Sequence, residues 1–168
     1  MSVTGLDQVR EALAEYLQSR EIHAVSAWSK EPKKRHERPV VSVSLKECCG
    51  TGAGFQDYLG ERYNEAAGRW EELYGKKLEL TFGLDLYGGM EQGAAGCQKE
   101  FDALADALAA GGPVGLRLGN LSCGETEFDR ETGMFHCPAE LEASAWVYAV
   151  AAEDGEMLLD FTVRGAWK

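Results

Sequence analysis

No stretch of this chain holds the ~20 consecutive apolar residues that a bilayer-crossing helix needs. No basic n-region followed by an apolar h-region precedes Leu6. Neither a membrane span nor a secretory leader is therefore expected, and the thiols are expected to stay reduced in a cytosol. The cysteine count agrees, since Cys48, Cys49, Cys97, Cys123 and Cys137 make an odd number for a disulfide framework. Basic charge is also short: 17 Lys and Arg stand against 28 Asp and Glu, for a net charge of −11. That balance argues against wrapping duplex DNA, because binding the backbone requires its phosphates to be neutralised. An acidic surface still serves DNA by not sticking to it.

Patterns that carry chemistry are scarcer still. No serine or cysteine sits in a nucleophile signature such as G-x-S-x-G. Gly50, Gly52 and Gly54 precede no helix of the phosphate-binding type and lack a following Lys-Ser or Lys-Thr, which argues against a nucleotide loop. The three histidines, His23, His36 and His136, fall in a strand, a loop and a strand. Cys48 and Cys49 are adjacent, and Cys123, His136 and Cys137 straddle a hairpin without a recognised zinc spacing, so buried or incidental thiols are favoured over a metal site. Glu71, Glu72, Glu125, Glu127, Asp129, Glu140 and Glu142 fall where solvated strands and turns would put them, and a glycosidase-like acid pair is not favoured. No catalytic residue, cofactor or metal is assigned.

What the chain does have is periodicity. Leu78, Leu80, Phe82, Leu84 and Leu86 alternate with Glu79, Thr81, Gly83, Asp85 and Tyr87, the mark of a strand with one face in a core. At 168 residues the chain fits one domain, and a domain of this size buries roughly 70% of its unfolded surface. It needs no disulfide or metal to fold.

Around this strand the expected order is helix, then sheet. Leu6, Val9, Leu13, Tyr16 and Leu17 form one helical stripe, and Thr4 with Asp7 resembles a capping box with a shortened carboxylate. Ile22 to Trp28 and Val40 to Leu45 read as strands, rich in β-branched and aromatic residues. Between them Lys30 to Arg38 carries five basic and two acidic residues, with Pro32 and Pro39 marking an exposed loop. Two readings of that loop stand: a solvated connection, or a contact with an acidic neighbouring subunit. After Gly50, Gly52 and Gly54 loosen the backbone, Phe55 to Tyr74 reads as a hairpin projecting from the sheet and turning at Asn64 to Gly68.

Cys97, Phe101, Leu104 and Leu108 define a second amphipathic helix, ended by Gly111, Gly112 and Pro113. Strands follow at Val114 to Leu118, Leu121 to Phe128, Phe135 to Val150 and Met157 to Val163, with turns at Asp129 to Gly133 and Glu153 to Gly155. Phe135, Cys137, Ala139, Leu141, Ala143, Ala145, Val147 and Ala149 share one face, and so many alanines imply a helix lying close across the sheet. The segments Tyr63 to Trp70 and Phe128 to Phe135 share the order aromatic, Asn or Asp, three residues, Gly, one residue, aromatic. In each, the Asx side chain suits a bond back to the turn amides, Gly suits the left-handed position, and the aromatics suit cross-strand pairing. The fold class is therefore α+β: an antiparallel-rich sheet, two main helices packed on it, and a hairpin at about 55–75 within a single domain, 1–168.

Tyr58, Tyr63, Trp70, Tyr74, Trp146, Tyr148 and Trp167 exceed what one core consumes, and surplus aromatics are enriched at protein interfaces. The residues expected to contact partners are Tyr58, Tyr63, Arg69, Trp70 and Tyr74 on the hairpin and Lys33, Lys34 and Arg35 in the basic loop.

The succession YLQSREI, VVSVSL, LELTFGLDLYG, CQKEFDALADALAAGG, GETEFDRETGMFHCPAELEASAWVYAV and LLDFTVRG resembles tailed-phage neck and tail-completion proteins, nearest the tail terminators of phages and prophages. The likeness is one of layout and spans most of the chain. It implies a virion subunit, present in the bacterial cytoplasm before assembly, that forms a hexameric ring on the tail tube and meets the head connector. DNA would pass through an acidic lumen without specific binding. The long hairpin departs from a simple terminator and leaves a tube, head-closure or baseplate station open. Beside this reading stand an acidic binding module of a regulatory or immunity system, and an enzyme assisted by metal at Cys123, His136 and Cys137.

Overall fold

A computed structural model describes the backbone of residues 6–26, 38–52, 57–151 and 157–164, and their side chains except at 149, 151 and 157–164. In chain order the elements are α1 (Leu6–Ser19), β1 (Ala24–Val25), β2 (Val40–Gly52), β3 (Tyr58–Asn64), β4 (Arg69–Gly88), α2 (Gly93–Ala109), β5 (Arg117–Cys123), β6 (Glu127–Asp129), β7 (Met134–Cys137), β8 (Ala139–Ala151) and β9 (Met157–Arg164). All the strands join one sheet, antiparallel except where β1 lies parallel to β2, and the class is α+β. Thr4, the basic loop with Lys33, Lys34 and Arg35, and the Glu153 to Gly155 turn lie outside the described residues.

β4 is the spine. On one side it pairs with β2 and then β3; on the other it pairs with β7 and then β8. β8 in turn carries β5 and β9 on its far edge. The expected hairpin is present as β3 and β4, but its second arm is not a strand of its own: Arg69–Tyr74 and the alternating Lys77–Tyr87 segment form one 20-residue strand. β8 pairs with β4 without a register shift from Glu72 to Gly83, so Gly75 and Lys76, which fall between the two expected segments, continue the ladder. β2 likewise runs through Gly50 to Gly52, because β4 lies opposite each of those residues.

The helices cover one face. Leu13 and Leu17 of α1 and Leu104 and Leu108 of α2 share a core with Val41, Val43, Leu80, Phe82, Leu84, Leu86, Leu141, Ala143 and Ala145. Leu6, placed on the apolar stripe by its spacing, is exposed at the open end of α1. The two helices are tied by Tyr16, whose hydroxyl donates to the carbonyl of Ala107 at 2.8 Å. The expected long strand from Phe135 is cut into β7 and β8 at Pro138, which has no N–H for the ladder. Its facing pattern survives the cut, because Cys137, Ala139, Leu141, Ala143 and Ala145 are all buried.

Burial then changes sides. In the first part of β4 the buried side chains are those of Glu71 and Leu73; beyond Gly75 they are those of Leu80, Phe82, Leu84 and Leu86. Successive strand residues face opposite ways, so the two stretches bury opposite faces of the same strand. Tyr148, which lies opposite Gly75, is buried with the first set. A Cβ on Gly75 would fall 1.9 Å from the carbonyl oxygen of Val147, so only glycine permits the backbones to meet this closely.

Candidate interaction surface on the hairpin

The two turns with a shared sequence pattern are built alike. Asn64 Oδ1 accepts from the amides of Ala66 and Ala67 at 3.0 and 3.1 Å, and Gly68 takes a φ of 62°. Asp129 accepts from the Glu131 amide at 2.9 Å and the Thr132 hydroxyl at 2.8 Å, and Gly133 takes a φ of 66°. Each turn closes with an edge-on aromatic pair, Tyr63 with Trp70 at 5.5 Å and Phe128 with Phe135 at 5.2 Å, both at 64° between planes.

Register decides which side chains gather on the β3–β4 hairpin. Tyr63 lies opposite Trp70 and Tyr58 opposite Tyr74, and the second pair also meets edge-on at 5.4 Å. All four rings therefore share one face, the one opposite Glu71 and Leu73. Three remain open, with Trp70 63% exposed, Tyr63 52% and Tyr58 40%, and Tyr74 is half-buried. Tyr74 donates to Glu72 at 2.7 Å, and that bond raises its hydroxyl above the ordinary range. Arg69, expected to join this group, has the parity of Glu71 and lies on the reverse face.

On that reverse face lies a polar cluster that sequence reasoning missed. Glu71, expected to be solvated, is only 6% exposed. Arg62 donates to its Oε2 from Nε and Nη2 at 3.1 and 3.0 Å, and Asn64 donates to Oε1 at 2.8 Å. Arg62 also reaches the Tyr148 hydroxyl at 3.1 Å and lies over its ring. The Asn64 bond foremost, with the Arg62 bond and charge, holds the Glu71 carboxyl below the usual carboxylate range against its burial. Asn64 thus serves the turn with its oxygen and the buried carboxylate with its nitrogen, so the aromatic face rests on a fixed frame. Only the Arg62–Glu71 spacing across a hairpin signals this pairing in the sequence.

The other candidates do not converge on chemistry. His136 and Cys137 are neighbours in β7 and face opposite sides of the sheet. His136 bonds Asp85 at 2.8 Å and stacks on Tyr87, whereas Cys137 is buried in the core. Among the described residues no three His, Cys, Asp or Glu side chains are placed to hold a metal. Ser42 lies opposite Asp85 in the ladder, which puts the carboxylate between serine and imidazole; a hydrolase triad needs the imidazole in the middle. On the open face, Glu47, Glu79, Thr81, Arg117 and Glu142 line a groove of about 410 Å³, with Glu142 already bonded by Asn120 at 2.8 Å. No helix among the described residues is long and apolar enough to cross a membrane. No protein-family model and no curated protein matches the chain.

Proposed function

We propose that this protein is a structural assembly subunit that closes into a homo-oligomeric ring, with the aromatic face of the β3–β4 hairpin seated on a neighbouring copy. The observation that carries the reading is the placement of the exposed Tyr58, Tyr63 and Trp70 with the half-buried Tyr74 on one face, braced from behind by the Arg62–Glu71–Asn64 cluster. Aromatic rings concentrate binding energy at interfaces, and a preformed frame lowers the entropy lost on docking. The order of elements resembles that of tail terminators, and this likeness supports a station at the end of a phage or prophage tail tube, beneath the head connector. An acidic subunit suits that station because transiting DNA is not retained.

Light scattering coupled to size exclusion, followed by negative-stain imaging, tests the reading. A closed ring near six subunits is expected, and Trp70→Ala should weaken it by about 2 kcal/mol per interface, roughly 30-fold in affinity. A chain that stays monomeric at high concentration and also with isolated tail tubes would overturn the proposal in favour of an acidic binding module. An oligomer indifferent to Trp70→Ala and Tyr63→Ala would move the interface elsewhere.

A further inference from the structure

The described thiols are not equivalent. Cys48 and Cys49 are successive strand residues, so their side chains diverge to opposite faces. Cys97 is fully buried on α2 and directs its sulfur to the Phe135 carbonyl at 3.8 Å. Cys123 and Cys137 are brought together where β5 ends beside the Pro138 break. Cys123 lies opposite Ala139, the Gly124 amide bonds the Pro138 carbonyl at 2.7 Å, and the Cys137 sulfur turns toward the Gly124 carbonyl at 3.8 Å. The two thiols are thus neighbours at the end of the β5–β8 ladder, one exposed at the sheet edge and the other buried behind it.

We infer that Cys123 and Cys137 form a dithiol that peroxide closes to a disulfide, stapling the end of β5 to β7. In the first step hydrogen peroxide transfers an oxygen to the Cys123 thiolate; the O–O bond breaks and hydroxide leaves. The Cys137 sulfur then attacks the resulting sulfenic acid, the S–O bond breaks and water leaves. Two thiols and one peroxide thus give one disulfide and two waters. Cys123 is the attacked sulfur because it is accessible. Cys123 rather than Cys97 is the partner, because the Cys137 sulfur turns toward the Gly124 carbonyl beside Cys123, while the Cys97 sulfur is directed to the Phe135 carbonyl. Shielding of its sulfur, with the neighbouring Cys137, raises the Cys123 thiol above its ordinary value, so closure quickens in alkaline solution.

The test uses the full chain. Cys123 lies in the tryptic segment 118–130, Cys137 in 131–164 and Cys97 in 78–99, so each pairing gives a distinct linked peptide. After brief treatment with hydrogen peroxide, non-reducing peptide mapping should show 118–130 joined to 131–164, with two titratable thiols lost per chain. Cys123→Ser should abolish that peptide, and Cys97→Ser should leave it. Because Cys123 is exposed, its variant is expected to fold, which circular dichroism confirms independently. A 78–99 to 131–164 link, linkage only between chains through Cys48 or Cys49, or unchanged labelling of Cys123 and Cys137 after peroxide would each overturn the inference.

Discussion

At the scale of single residues, Glu71 shows how a polar side chain is kept inside a hairpin. Its carboxylate is held by Arg62 and Asn64, and replacing it with glutamine leaves the partly solvated Arg62 without its counter-charge. We expect Glu71→Gln to cost about 2 kcal/mol at neutral pH, the size of a hydrogen bond to a charged group. The pH dependence has a definite sign. The folded value lies below the ordinary 4.5, so the stabilisation is full above that value and is lost as pH falls through the folded one. Urea unfolding of both proteins should show a gap at pH 7 that narrows at about pH 3. A constant gap would mean that packing, not charge, holds the site. Glu71 was not legible in the sequence because Tyr148 and the register that covers it come from distant positions. Asn64 and Asp129 were legible because their bonds are local, accepted from amides within three residues.

At the scale of elements, legibility followed periodicity. α1, α2 and the Leu78 to Leu86 alternation each show a repeat longer than one turn or two strand pairs, and each appears where the spacing placed it. Boundaries set by glycine and lysine did not hold. Gly50, Gly52 and Gly75 lie within ladders, because a partner strand satisfies their backbone groups whatever their intrinsic preference. Gly75 makes a sharp prediction. A methyl group there meets the Val147 carbonyl oxygen and the Tyr148 Cα, both backbone atoms that move only with β8. Gly75→Ala should therefore destabilise by about 3 kcal/mol and loosen the Tyr148 end of the β4–β8 ladder. Amide exchange should rise there while Leu80 to Leu86 stay protected. Unchanged stability would show that the strands have room to separate.

At the scale of the whole molecule, two buried regions on opposite faces share one strand. Leu73 belongs to the one beside Tyr148, and Leu104 to the one beneath the helices. Truncating either to alanine is expected to cost about 3 kcal/mol. Because β4 runs through both, each variant should shift a single cooperative transition, followed by circular dichroism and by tryptophan fluorescence. Two separable transitions would show that the hairpin end melts by itself.

The crossing of burial at Gly75 also bears on how such a gene varies. Side chains along a strand repeat every two residues, and β4 buries odd-numbered side chains before Gly75 and even-numbered ones after it. Adding or removing one residue between Leu73 and Leu78 would turn one of the two buried faces outward; a change of two would preserve both. In homologous genes, length differences within this strand are thus expected in pairs of codons, a parity rule written into the chain by its own pleat.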